Sequence, residues 1–177
     1  MFIIIIVTIK LGQENQKAEI TRRIDIPINL RKRAYDSCIL PVASYGLESM
    51  TITKHSANRL RTTQKAMERA MLGTSLKDRV RNDEIRRRTR VSDIIKRTAE
   101  LKWRWVGHVA RQDREKWTLR VIQWRPRETK RSTGRPQRRW IDDIKDQVGG
   151  QWLRIAQDRH EWKRHGEDYD QKWTEEG

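Results

Sequence analysis

The positive charge of this chain is confined to its middle, and that confinement limits what the chain can fold into. Residues 1–50 carry a net +2, residues 51–100 a net +8, residues 101–140 a net +10, and residues 141–177 a net −4. Only 35% of the residues are apolar, against 36% charged. Such a chain builds a modest core, and a dense basic block repels itself unless a polyanion is near. Counterion release then adds to the affinity. The competing reading is a solvated charged face. An acidic membrane surface suits the block less well, because its helices show interior tryptophans but no broad Leu/Phe face.

Cys38 is the single cysteine, so neither an internal disulfide nor a multi-cysteine zinc site can form. The run Phe2–Ile9 is too short to span a bilayer and lacks the flanks of a signal peptide. Its β-branched content predicts a strand. The rest of the chain reads as mainly α, with short helices around a small core. The spacing predicts helices around Ala18–Ile24, through Leu30–Ala34 and onward with Asn29 as cap and Pro41 kinking or ending it, and over 56–72 stopped by Gly73. It also predicts a Ser75/Asp78 capping box, a short helix capped by Asn82, and a long helix over 93–111 capped by Ser92. In the long helix Ile94, Thr98, Leu101, Trp105 and Val109 form the apolar stripe. Residues 125–136 read as a basic linker, followed by a helix over 137–148, a break at Gly149-Gly150, and a last helix from Trp152. A tail then carries Trp162, Tyr169 and Trp173.

Eight tryptophans lie between 103 and 173, interleaved with arginine. Trp105, Trp140 and Trp152 sit on apolar stripes and are expected in the core. Trp103, Trp117 and Trp124 are candidates for stacking a base. Asp142-Asp143 resembles a two-metal carboxylate pair, but on a helix the two side chains diverge by about 100°. Helix capping explains them better. His55, His108, His160 and His165 lack metal spacing, and His108 is expected to be a hydrogen-bonded structural residue. No phosphate loop or nucleophile elbow occurs. The expectation is therefore no catalytic residue, no metal, no cofactor and no small-molecule substrate. Thr133-Gly134-Arg135-Pro136 is similar to an AT-hook core, which lies along a minor groove.

Several segments together resemble the C-terminal part of a non-LTR (LINE-type) retrotransposon reverse transcriptase. They are Leu-Pro-Val-Ala-Ser-Tyr-Gly-Leu-Glu-Ser at 40–49, Gln-Lys-Ala-Met-Glu-Arg-Ala-Met-Leu-Gly at 64–73 and Ile-Arg-Arg-Arg-Thr at 85–89. Leu-Lys-Trp-Arg-Trp-Val-Gly-His-Val-Ala-Arg at 101–111 and Gly-Arg-Pro-Gln-Arg-Arg-Trp-Ile-Asp-Asp-Ile at 134–144 complete the set. The resemblance covers about residues 11–174. It implies a remnant following the polymerase palm over 1–27 and a thumb-like region over 28–75. It further implies a C-terminal extension, read here as a basic Trp-rich helical region over 76–124, the linker 125–136 and a helical tail over 137–177. The family's catalytic Phe/Tyr-Ala-Asp-Asp hairpin lies upstream of the matching part, and Trp140-Ile141-Asp142-Asp143 matches a different motif.

The leading expectation is a nucleic-acid-binding fragment, not an enzyme on its own, that holds RNA or DNA by its phosphates. The contacts would come from Arg59, Arg61, Lys65, Arg69, Arg86, Arg87, Arg88, Arg97, Arg104, Lys130, Arg131, Arg135, Arg138 and Arg139. Two other readings stand beside it: a residual metal-dependent nuclease or polymerase using Asp142 and Asp143, and a transposon-derived product without a function. The basic clusters and the resemblance point to the nucleus. The acidic tail could shield the basic block when no ligand is bound.

Overall fold

The computed structural model describes residues 22–113, 116–124 and 138–175. Every regular element among them is helical, as the sequence pattern predicts. The expected strand at Phe2–Ile9 and the linker 125–136 lie outside the described residues. So does most of the helix expected at Ala18–Ile24. The described residues form two compact units: those up to Tyr45 with Lys54–Arg97, and Gly46–Thr53 with those from Thr98 onward.

The first unit begins with α1 (Ile28–Ala34), whose N-cap is Pro27, so Asn29 lies in the first turn rather than capping it. Pro41 has no N–H to give and its ring crowds the preceding turn. The chain absorbs this with a π turn over Tyr35–Ile39, in which the Leu40 N–H donates to the Tyr35 carbonyl. It then continues as α2 (Leu40–Ser44). Next comes α3 (Lys54–Leu72). Gly73 ends it at φ 66°, with Thr74 N–H donating to the Arg69 carbonyl and Gly73 N–H to that of Ala70. This is a Schellman closure. The capping box of Ser75 and Asp78 forms as expected.

Helix α4 (Asn82–Thr89) follows, with Arg81 at the N-cap. Asn82 instead accepts a hydrogen bond from Arg69. The long helix α5 (Ile94–Ala110) is capped by Asp93, not Ser92: Asp93 Oδ1 accepts from the N–H groups of Ile95 (2.8 Å) and Lys96 (3.1 Å).

Polar side chains hold the core of this unit together. Gln64 is buried because its amide completes backbone pairing at the start of α5. It donates to the Ser92 carbonyl (3.1 Å) and accepts from Ile94 N–H (2.9 Å), one of the orphan donors of a helix start. Arg31, also buried, donates to the Met71 carbonyl near the end of α3. Glu68 is 2% exposed and accepts from the Thr89 hydroxyl (2.9 Å), while its Oε1 has no partner.

Burial of Glu68 disfavours the anion and holds its carboxyl above the usual value of 4.5. A raised carboxyl pKa favours the folded state fully below pH 4.5, and that contribution is lost as pH climbs through the folded value. Glu68→Gln should therefore stabilise the protein at pH 7 by about 1 kcal/mol. The gain should shrink as pH falls toward 4.5, which thermal melts across that range will read.

In the second unit, α6 (Trp117–Gln123), α7 (Asp142–Val148), α8 (Trp152–Ile155) and α9 (Arg159–Glu175) accompany most of α5. Helix α7 starts five residues later than expected, after a turn at Trp140-Ile141. The expected tail is a 17-residue helix. Asp158 starts it by accepting from the N–H groups of His160 (2.8 Å) and Glu161 (3.1 Å), and these donors lower its pKa.

The expected stripe of α5 is buried at Ile94, Thr98 and Val109, but the buried face is broader and shifted. Ile95, Ala99, Lys102, Trp103, Val106 and Ala110 are buried, whereas Leu101 and Trp105 are only half-buried. Trp103 stacks on Trp162 with ring centroids 4.2 Å apart. Each indole Nε1 donates to the other's carbonyl: Trp103 to Trp162 O (2.8 Å) and Trp162 to Trp103 O (3.1 Å). Each ring also fills the space over a glycine four residues beyond its partner. A Cβ on Gly107 would clash with Trp162 Nε1, and one on Gly166 would meet Trp103 Cδ1 at 2.8 Å.

Candidate nucleic-acid interface

The expected phosphate ligands are divided between the two units. On α3, Arg59 is exposed, Arg61 and Lys65 are half-exposed, and Arg69 reaches Asn82. On α4, the Arg86-Arg87-Arg88 run projects to the surface but is already paired. Arg86 binds Asp93, and Arg87 and Arg88 share Glu84, whose carboxyl they hold below its usual value. Exposed pairs of this kind are worth little, about 0–1 kcal/mol, so a phosphate can displace the carboxylate. Arg97 is half-buried. In the second unit Arg104 and Arg139 are exposed, and Arg138 pairs with Asp146 at 2.5 Å. Lys130, Arg131 and Arg135 lie outside the described residues, as does the Gly-Arg-Pro segment.

The two adjacent aspartates diverge, as helical geometry requires, and do different things. Asp142 Oδ2 accepts from Arg139 N–H (2.6 Å), closing the turn before α7 rather than capping a helix N–H. Asp143 Oδ1 accepts from the first-turn Ile144 N–H (2.8 Å), and the side chain does more than that. It forms an ion pair with Lys102 Nζ (2.6 and 2.8 Å) and accepts from the Tyr169 hydroxyl (2.9 Å). Lys102, 1% exposed, also donates to the Trp140 carbonyl (2.6 Å) and lies 4.6 Å from the Trp140 ring centroid. A metal shared by both carboxylates would have to break this pair. No cluster of three potential metal ligands occurs among the described residues. His108 is exposed, with Nε2 2.8 Å from Gln112 Nε2.

An open cleft of about 510 Å³ runs along the stacked indoles. Arg104, Arg111, Arg159 and Lys163 line it, but so do Glu100, Glu167 and Asp170. That near balance of charge makes it a poor phosphate groove. Arg111 is moreover committed to the Ala156 carbonyl (2.7 Å), and burial and then Arg159 lower its pKa. No helix among the described residues is long and apolar enough to cross a membrane.

The tryptophans separate clearly. Trp103, a candidate for base stacking, is 4% exposed and belongs to the core, because its indole is locked against Trp162. Trp152 and Trp162 are buried, and Trp105, Trp140 and Trp173 are half-buried. Trp117 and Trp124 stand out in solvent at 74% and 69% exposure, with Val121 between them at 64%. The 117/121/124 spacing carries this face in the sequence, but only burial of the opposite face distinguishes it from a core stripe.

Over 164 residues the chain is 32% identical to an uncharacterized transposon-derived protein of Caenorhabditis elegans. The match covers 85% of this chain and 57% of that protein, so the chain spans little more than half the length of its relative. No family model matches. No solved structure matches either. The relationship visible in this sequence is therefore with a protein of transposon origin.

Proposed function

We propose that this chain is a transposon-derived fragment that binds RNA or DNA through phosphate contacts, with no catalytic centre of its own. Its finer origin, on the motifs at 40–49, 64–73, 101–111 and 134–144, is the thumb and C-terminal extension of a non-LTR retrotransposon reverse transcriptase. The observation that carries the binding reading is the display of arginine on α3, α4 and α5. Residues 51–100 hold a net +8 and residues 101–140 a net +10, and Arg59, Arg86, Arg87, Arg88 and Arg104 are exposed. In a full-length relative the exposed cations of each unit would hold template–primer or target nucleic acid, and the nucleus is the compartment that fits.

Binding to any polyanion should be steeply salt-dependent. The slope of log K against log salt should be about −0.7 to −0.9 per phosphate engaged. Replacing Arg59, Lys65 and Arg104 together by glutamine should flatten it by roughly two to three units, since each cation removed frees one phosphate. A slope near zero in the parent protein would end the proposal. The catalytic alternative predicts magnesium-dependent cleavage or synthesis that Asp142→Ala abolishes while the fold is retained.

A further inference from the structure

We propose that the exposed face of α6 is a stacking platform for the bases of single-stranded nucleic acid, with Trp117 and Trp124 as its two plates. This rests on the polyanion-binding reading above and specifies its ligand as unpaired RNA or DNA.

Tryptophan is among the most heavily buried residues on average. Here Trp117 and Trp124 are 74% and 69% exposed, whereas every other tryptophan is buried or half-buried. Helix α6 buries Leu119 on its opposite side, so the orientation of the exposed face is fixed by packing. The two rings are seven residues apart, two helical turns. Trp117 opens α6 and Trp124 is its C-cap, so their Cα atoms lie about 10 Å apart along the axis, the rise of roughly three stacked nucleotides. Arg120 lies between them in sequence, its guanidinium carbon 5.7 Å from the Trp117 ring centroid. It can bind a phosphate while the indole takes the base.

Charge selects the occupant. Residues 114–139 hold ten Lys/Arg and two Asp/Glu. An apolar protein partner would have to bury the exposed Lys116 and Arg120, whereas a nucleic acid neutralises them. Within a duplex the base faces are already covered by their neighbours, so only an unpaired strand can offer them to an indole. An anionic membrane would also accept the charge, but three apolar side chains on two turns give it little to bury.

The test uses the full chain and fluorescence anisotropy at fixed salt. The probes are oligo(dT), oligo(U) and a mixed-sequence duplex, each about 20 nucleotides long, enough for more than one binding site. Trp117→Ala and Trp124→Ala should each weaken single-strand binding about tenfold. Duplex binding should stay within about twofold, and the salt slope should not change, because no charge is removed. Trp117→Phe and Trp124→Phe, which keep a stacking ring, should restore most of the affinity.

If the alanine variants bind single strands as the parent does while salt-dependent binding persists, the platform is wrong and the polyanion reading survives. If the parent binds no polyanion, both fall. Loss in the alanine variants of binding to anionic vesicles, or of self-association in sedimentation, without loss of oligonucleotide binding would assign the face to a membrane or a second copy and overturn the proposal.

Discussion

Trp103→Ala or Trp162→Ala is expected to cost about 3–5 kcal/mol. Each change removes a buried indole, its stacking partner at 4.2 Å and one of two reciprocal hydrogen bonds to carbonyls. The carbonyl left behind keeps the bond of its own helix but loses its second donor. Since a domain of this size is stable by only about 5–15 kcal/mol, these variants should populate unfolded forms at ambient temperature.

The glycines give a sharper version of the same result. Gly107→Ala and Gly166→Ala press a methyl group into indole atoms, at 2.8 Å for Gly166 and closer still for Gly107. Those atoms cannot swing away, because both rings are stacked and hydrogen-bonded. A cost of about 1–3 kcal/mol is expected for each. Gly150→Ala, with nothing within 4 Å, is the control and should be nearly neutral. In a Trp103→Phe background the smaller ring leaves room, so Gly166→Ala should cost less there than in the parent. Urea denaturation of the four proteins gives that coupling as a double-mutant cycle. Strict additivity would show that the ring does not pack on Gly166.

The second large effect belongs to Lys102. Asp143→Ala should cost about 3–5 kcal/mol, because it leaves an ammonium group buried at 1% exposure with only the Trp140 carbonyl and ring for company. The double variant Lys102→Met/Asp143→Leu should recover most of that loss, since apolar replacement removes the desolvation cost along with the attraction. If the double variant is no better than Asp143→Ala, the pair itself is not what Asp143 supplies.

The pH dependence follows from opposite shifts. Burial lowers the Lys102 pKa below 10.5, against the opposing pull of Asp143. In the window between the folded value and 10.5 the unfolded chain holds more protons, so this group makes stability rise with pH. Tyr169, raised above 10.0 by burial and then by Asp143, works the other way. Its unfolded phenol ionises first, and stability falls above pH 10. Burial raises Tyr35 in the same way, so Tyr169→Phe should lessen the alkaline fall in a thermal melt and Tyr169→Phe with Tyr35→Phe should lessen it further.

Much of the local structure is legible in the sequence because its causes are local. Gly73 takes the left-handed conformation that ends α3, Ser75 and Asp78 close their capping box, and Gly149 breaks the chain after α7. The α5 cap lies one residue beyond the expected Ser92, since Ser92 and Asp93 are both competent and only Asp93 meets the free N–H groups. Arg90 is one of two non-glycine residues at positive φ among those described. It ends α4 where no glycine signals a stop. The repeated Trp-x-x-x-Gly of 103–107 and 162–166 is a signal for the indole lock, although nothing local says that the two copies meet.

The sequence by itself determined the helical class, the segregation of positive charge into residues 51–140 and the division of the chain at its glycines, because composition and short-range spacing are enough for these. The tertiary structure alone decided which helix faces are buried. An i, i+3, i+4 pattern in a highly charged helix offers more than one candidate stripe. The choice fell on faces carrying Gln64, Glu68 and Lys102, whose polar groups find partners 30, 21 and 41 residues away. For the same reason Trp103 went into the core, while Trp117 and Trp124 were left outside beside the basic segment.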